Sequence, residues 1–371
     1  MSSHAIIALH SFNISGVLTQ SLICARHLIN KGYGVMVVGR QGRSGEDLFR
    51  REGIQTFTNN SSFLPGALNS LRGDVALLVC ESLFAESVFA PIASTFPRSR
   101  KILRVHEEVD KTLLAQGLWQ YNIQRDLAEV LSEFDLVLFP CEHTKAFYAS
   151  LARRENHSTR WLVIPNTMNE HMAAHGGPAP KSFKVLQLGT VSKRKNPILT
   201  LTAFEIFLHS YNLPDAELVF VGYRDANDRE RTHVCSLRKE IEARKLKPYV
   251  TIKPTQPSPA QDLSEASVVT LHSSSECSPT VFLEAAFFGK MVIAPDVGGV
   301  AELVIDNLNG FLFKCGDCST QAKLIGHIYE QRQCLPARMP SIRDHYYSHY
   351  SNSLFFGRLD AALREMELAN R

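Results

Sequence analysis

Two carboxylates, Glu276 and Glu284, stand eight residues apart with a helix start between them. Ser278 suits an N-cap, and Pro279 suits the first helical position, where its missing N–H would be unpaired anyway. The spacing predicts a helix through Glu284 that stops at Gly289, a C′ residue. Glu276 then lies in the loop before the helix and Glu284 on its second turn. Between them, the backbone N–H groups around Ser278, Thr280 and Val281 and the positive end of a helix dipole suit a phosphate or a polarised sugar oxygen. Ionised carboxylates only accept hydrogen bonds, so they suit hydroxyls. Hydroxyls on both sides of an anion describe a nucleotide sugar.

The elements that would position these groups are legible around them. Residues 268–274 read as a buried strand feeding the loop, and 291–299 as a second strand ending in a glycine turn. Acids at the carboxyl ends of parallel strands lie where open α/β sheets bind ligands. A second loop, Gly189-Thr190-Val191-Ser192-Lys193-Arg194-Lys195-Asn196-Pro197, follows the strand expected at 183–188. Its glycine lets a ligand approach the backbone, and its basic residues suit a diphosphate. His106 follows the strand expected at 102–105, and Asn13 to Gly16 form the loop after the strand expected at 4–10.

Along the chain, apolar strands alternate with helical patterns. The first set has strands at 4–10, 35–38, 75–80, 102–105, 136–139 and 161–164, with helices at 17–30 and 118–134. The stretch 169–181 holds Gly176, Gly177, Pro178 and Pro180 and reads as a linker. A second set then begins: strand 183–188, helix 198–210, strand 217–221, helix 234–244 and strand 250–252. Each set starts as a Rossmann-like unit. Two domains are therefore expected, at 1–168 and 182–345. A tail helix near 346–371 shows apolar residues at Leu354, Phe355, Leu359 and Leu363.

Composition narrows the function classes. At 371 residues each half can bury a core, and 44% hydrophobic with 21% charged residues is ordinary for a soluble chain. A formal charge of +3 is too small to argue for nucleic acid. No apolar run reaches membrane-span length, and the N-terminus lacks the charged start of a signal peptide, so a cytoplasmic location is expected. The eight cysteines are scattered and expected to be reduced; Cys315 and Cys318 lack a second ligand pair for zinc. No Asp-x-Asp occurs, which favours phosphate chemistry without a metal. No nucleophile elbow, Walker loop or His-Glu-x-x-His helix occurs either, and no Gly-x-Gly-x-x-Gly follows a first strand.

The segment 268–313 resembles the donor site of retaining glycosyltransferases of family 4, the glycosyl transferases group 1. The shared pattern is a Glu, seven residues and a second Glu, here Glu284-Ala285-Ala286, then Gly289, Asp296-Val297-Gly298-Gly299-Val300-Ala301-Glu302 and Asn309-Gly310-Phe311-Leu312. Cys277-Ser278 replaces the family's Gly-Phe or Phe-Gly, and Thr190 stands where an Arg is usual. Lys193 or Arg194 is then the candidate for the missing charge, and Gly316-Asp317 fills a loop that is Pro-Gly-Asp-like in the family.

The resemblance implies an α/β, GT-B fold, with two Rossmann-like domains facing across a cleft and the tail helix packing back onto the first. It implies transfer of a hexose-type sugar from a UDP- or GDP-type donor to an acceptor hydroxyl, with retention and without a cofactor or metal. Glu276, His106 and Lys195 would be the catalytic residues. Glu284, Gly189, Thr190, Arg194, Gly16, Ser278, Thr280 and Val281 would hold the donor, Glu284 through the ribose. The acceptor would be a glycan or a lipid-linked sugar of a cell-surface polysaccharide, with peripheral association at the inner membrane face. A non-hydrolysing sugar-nucleotide 2-epimerase and a catalytically silent GT-B subunit are the alternatives.

Overall fold

The computed structural model describes residues 3–42, 45–71, 73–109, 126–152, 159–172, 182–212, 215–224 and 228–368. The chain divides into two compact units, Met1–Thr167 with Asn352–Arg371, and Met168–Ser351. All strand pairs among the described residues are parallel.

The first unit runs β1 (His4–Leu9), α1 (Gly16–Asn30), β2 (Gly34–Gly39), α2 (Gly45–Arg50), β3 (Gln55–Thr58), α3 (Leu64–Ser70), β4 (Val75–Glu81) and α4 (Glu86–Thr95). It continues with β5 (Arg100–Arg104), α5 (Leu127–Ser132), β6 (Leu136–Phe139), α6 (Glu142–Leu151) and β7 (Arg160–Val163). Its seven-stranded sheet has the order β3-β2-β1-β4-β5-β6-β7. Side chains alternate across the sheet. Ile6 and Ala8 face a core with Val88, Phe89, Ile92, Val130 and Leu131 from α4 and α5. Ala5, Ile7 and Leu9 face another with Leu18, Leu22, Ala25 and Leu28 from α1. That second core also takes in Phe355, Leu359, Ala362 and Met366 of the last helix. Each such burial stabilises by roughly 1.5–3 kcal/mol for a large side chain.

The second unit runs β8 (Phe183–Leu188), α7 (Pro197–Tyr211), β9 (Ala216–Tyr223), α8 (Asp228–Ala243), β10 (Val250–Pro254), α9 (Ala260–Glu265) and β11 (Val268–Thr270). Then follow α10 (Thr280–Phe287), β12 (Met291–Pro295), β13 (Gly310–Phe313), α11 (Cys318–Glu330) and α12 (Leu335–His349), before α13 (Asn352–Leu368) of the first unit. The six-stranded sheet has the order β10-β9-β8-β11-β12-β13. One core unites Phe204 and Phe207 of α7 with Phe220 of β9 and Ile293 of β12.

Several elements differ from the sequence reading. Of the helix expected at 118–134, residues 118–125 lie outside the described residues; α5 opens at Leu127, where Asp126 is an N-cap whose carboxylate accepts from the N–H groups of Ala128 and Glu129. Most of the expected linker, 173–181, lies outside them too. The tail helix begins at Asn352 and not at 346. Tyr346 belongs to the second unit, where its ring is buried 5.7 Å from Phe287 and its hydroxyl donates to Glu170. Tyr350 N–H closes α12 on the Tyr346 carbonyl at 2.8 Å. The strand expected at 268–274 pairs only as far as Thr270, although Leu271, His272 and Ser273 stay buried.

Candidate functional site

In the second sheet the chain moves from β8 out to β10, then returns to the far side of β8 as β11. The crevice at such a reversal is where doubly wound sheets take ligands. The two loops that flank it, after β8 and after β11, carry Lys195 and Glu276.

Glycines shape the first loop. Gly189 has φ +135 and Gly222 of β9 has φ +125, and a Cβ on Gly222 would fall on the Gly189 carbonyl. Lys195 is turned back toward Gly189, whose Cβ would meet the lysine Cε at 3.6 Å. Its carbonyl is held by buried Gln187, 3.2 Å away. Asn196 then adopts a left-handed conformation, and Pro197 opens α7.

Lys195 Nζ donates to Glu276 Oε1 at 2.5 Å, and Arg194 Nη1 lies 3.0 Å from the same oxygen. Glu276 is 6% exposed and Lys195 9%. Burial works to raise the Glu276 pKa, but Lys195 and Arg194 outweigh it and hold the carboxyl below its usual range. Burial lowers the Lys195 pKa, with the Glu276 charge opposing. Arg194 also ties the two loops together: Nη1 donates to the Ser275 carbonyl at 2.7 Å, and the Arg194 carbonyl accepts from Ser274 N–H at 2.8 Å. Of the two candidates for the missing charge, Arg194 reaches the acid and Lys193 is exposed. Thr190 is half-buried.

The start of α10 differs from expectation. Pro279, not Ser278, is the N-cap, with extended backbone (φ −66, ψ 112). A proline has no side-chain acceptor, so no side chain caps this helix start. Thr280 and Val281 open the helix, with Ser278 buried just before it. Glu284 lies on the second turn. Its carboxyl forms no hydrogen bond or ion pair with any described residue, and burial alone pushes its pKa up to about 8. Gly289 closes the helix at φ +69.

The Asp-x-Gly-Gly turn packs against the backbone of Glu276. Gly299 N–H donates to the Glu276 carbonyl at 3.1 Å. Asp296 and Glu302 are exposed, and Glu302 ends a short 3-10 turn, Gly298–Glu302.

Below the loop runs a buried relay that the sequence reading missed. His272 Nε2 accepts from Gly316 N–H at 2.9 Å, so the proton is on Nδ1, which donates to Gln321 Oε1 at 2.7 Å. Gln321 in turn donates to Thr270 Oγ1 at 2.9 Å. Burial lowers the His272 pKa, which keeps the ring neutral. The relay pins the Gly316-Asp317 loop, and Asp317 caps α11 through Thr320 N–H at 2.9 Å. Cys315 and Cys318 are free thiols whose Sγ atoms donate to the carbonyls of Ser273 and Leu199. Among the described residues no three His, Cys, Asp or Glu side chains converge to hold a metal ion.

Gly16 and His106 belong to the first unit. Its sheet reverses between β1 and β4. Gly16 is exposed and opens α1, which Ser15 caps by accepting from Leu18 N–H at 3.3 Å. His106 follows β5 and lies 2.8 Å from Glu81, the last residue of β4. Glu81 also binds Arg104 at 2.6 Å. Sequence reading singled out His106 alone here. The signal for the rest was a charged residue inside or ending each of two apolar strands, Arg104 in 102–105 and Glu81 after 75–80.

Residues 169–341 match the family model described as Glycosyl transferases group 1. A D-inositol 3-phosphate glycosyltransferase of Paenarthrobacter aurescens (strain TC1) is 29% identical over 160 residues, which are 42% of this chain and 38% of that protein. The chain thus spans about two fifths of the length of that curated relative. Among solved structures, Anabaena Alr3699/HepE in complex with UDP and glucose superimposes with a TM-score of 0.80 at 18% identity, over 98% of this chain and 99% of that one. Sucrose-phosphate synthase from Thermosynechococcus elongatus gives 0.76 at 18% identity, over 100% of both chains. The fold is that of the GT-B glycosyltransferase structures: two Rossmann-like α/β units, with parallel sheets of seven and six strands.

Proposed function

We propose that this chain is a retaining glycosyltransferase that moves a hexose-type sugar from a nucleotide-diphosphate sugar to an acceptor hydroxyl. The observation that carries the reading is the ionised Glu276 held by Lys195 and Arg194 beside an uncapped helix start, with an unpartnered Glu284 one turn further on. The cations and the first N–H groups of α10 supply positive potential for a departing diphosphate. Glu276 accepts from sugar hydroxyls and steers the anomeric carbon. Glu284 meets the ribose hydroxyls. His106 hydrogen-bonds a hydroxyl of the sugar or the acceptor. As the bond from the anomeric carbon to the phosphate oxygen breaks, the acceptor oxygen bonds that carbon on the same face, and its proton passes to the leaving phosphate.

The match to the group 1 model and the likeness to a structure holding UDP and glucose support this reading and make UDP-glucose the first donor to try. No helix among the described residues is long and apolar enough to cross a membrane. A glycan or lipid-linked acceptor, met at a membrane face, fits the group's use in surface polysaccharide synthesis.

Calorimetry with a panel of nucleoside diphosphates tests the site. Lys195→Ala and Glu284→Ala should each weaken binding roughly 10- to 100-fold, since a hydrogen bond to a charged group contributes about 1.5–3 kcal/mol. Wild-type affinity in both variants would place the nucleotide elsewhere. Incubating wild type with donor alone separates transfer from epimerisation: a 2-epimer seen by NMR without acceptor would overturn the transferase reading.

A further inference from the structure

The first unit holds a buried charged cluster that the scheme above does not use. Glu81 is 0% exposed and Arg104 3%. Arg104 Nη1 donates to Glu81 Oε1 at 2.6 Å and to the Gln20 carbonyl at 3.3 Å, and the guanidinium lies 5.2 Å from the Phe355 ring centre. The other carboxylate oxygen, Oε2, faces His106 Nε2 at 2.8 Å. A buried ion pair contributes little to stability compared with apolar residues of the same volume. Its presence at the carboxyl ends of β4 and β5, beside the sheet's point of reversal, calls for another reason.

The backbone just after Glu81 is also unusual. Ser82 has φ +91, a conformation costly for a residue with a Cβ. It is held there by its own N–H, which donates to the Arg104 carbonyl at 2.8 Å, and by its hydroxyl, which donates to Glu107 Oε1 at 2.8 Å. The strain is therefore paid at the join between Glu81 and the His106-Glu107 segment.

We propose that Glu81 is a positioning residue: with Arg104 it locks His106 in the Nε2–H tautomer and leaves Nδ1 as the acceptor for a substrate hydroxyl. The proposal rests on His106 being a substrate-binding residue. Burial would raise the Glu81 pKa, but Arg104 and His106 outweigh it and hold the carboxyl ionised. An ionised carboxylate has no proton to give, so the imidazole is the donor. Among the described residues Nδ1 has no hydrogen-bond partner. Among the described residues, Glu81 from β4 and Glu107 from its own loop act on the ring, and Arg104 from β5 acts on Glu81. Arg104 pairs with Glu81 at 2.6 Å, and burial pushes the Glu107 pKa up. A carboxylate that fixes the tautomer and orientation of a working histidine is a general device.

The test is the nitrogen spectrum of the histidine rings in the full-length, 15N-labelled chain, with His106 assigned by difference from His106→Gln. Wild type should show protonated Nε2 and unprotonated Nδ1 at neutral pH. In Glu81→Gln the amide can donate to Nε2, so the Nδ1–H tautomer should grow in. Glu81→Gln leaves Arg104 unpaired, so the double variant Glu81→Gln/Arg104→Gln repeats the measurement with no buried charge and should show the same gain. Transfer by the double variant should fall about 10- to 100-fold in kcat, with KM for the donor within about twofold. A wild-type ring that is doubly protonated or Nδ1–H, or a tautomer unchanged in both variants, would overturn the proposal. If wild type transfers no sugar with any donor and acceptor, the transferase reading fails, while the spectra still decide the role of Glu81.

Discussion

Gly298 sits where the backbone of Glu276 leaves no room for a side chain. A Cβ on Gly298 would fall on the Glu276 carbonyl oxygen, and Gly298 itself holds φ +56. That same carbonyl accepts the Gly299 N–H. The turn after β12 therefore seats the peptide whose side chain meets Lys195 and Arg194. The glycine turn after β12 works as the bed of the acid.

Gly298→Ala should carry two penalties, a left-handed backbone for a residue with a Cβ and an overlap with main chain that cannot rotate away. Together they should cost roughly 1–3 kcal/mol, read from denaturant unfolding, and donor turnover should fall as Glu276 shifts. Gly316→Ala is the control: Gly316 has φ +91 but nothing within 4 Å of an added Cβ, so it carries the strain alone. Equal stability losses in the two variants would show that the overlap with Glu276 is relieved without cost.

Glu276 itself calls for a careful substitution. Glu276→Ala would strand a buried ammonium, and breaking a buried pair costs about 3–5 kcal/mol, so lost activity would be ambiguous. Glu276→Gln keeps the shape and an acceptor oxygen for Lys195. Nucleoside diphosphate affinity should stay within a few-fold of wild type, while sugar transfer should drop on the order of 100-fold, the loss typical for one preorganised polar group. Calorimetry and release of nucleoside diphosphate in the presence of acceptor measure the two. Unchanged transfer by the Gln variant would show that the charge on Glu276 is not needed.

What could be read from the chain follows from what strands and loops encode locally. The strands at 136–139 and 183–188 coincide with β6 and β8, because buried parallel strands are short apolar runs whose ends need no partner to be seen. Glu276, Lys195 and Arg194 were visible because each follows such a run. Edge strand β3 was not, since its four residues are exposed or half-buried and carry no apolar signal. The Glu81–Arg104–His106 cluster joins neighbouring strands 23 and 25 residues apart, and only the register between β4 and β5 brings it together. His272 hid inside a segment that reads as buried strand. The cap of α10 was misplaced by one residue because the backbone angle of Pro279, free in ψ, decides where the helix starts.

Metal removal tests the proposed role of the cations. With Lys195 and Arg194 beside Glu276 and no Asp-x-Asp in the chain, transfer should survive EDTA at close to its untreated rate. Full loss of activity with EDTA, restored by manganese or magnesium, would contradict stabilisation of the diphosphate by these side chains alone.

Glu284 should make the empty protein less stable as the solution becomes more alkaline. Its carboxyl is pushed up to about 8 by burial, against 4.5 as an ordinary glutamate. Between those limits the folded chain keeps a proton that the unfolded chain has released. Stability then falls with rising pH, by at most roughly 1.4 kcal/mol for each pH unit, and levels off above about 8. Glu284→Gln removes the titration and keeps the shape. In urea unfolding without ligand, the variant should match wild type near pH 4.5 and exceed it by on the order of a few kcal/mol at pH 8.5. With nucleoside diphosphate the order should reverse in affinity: wild type, whose carboxylate then meets ribose hydroxyls, should bind about 10-fold more tightly. The two readouts are independent. Parallel stability curves would show that Glu284 is not held in a desolvated state, and equal affinities would show that its carboxylate does not meet the ribose.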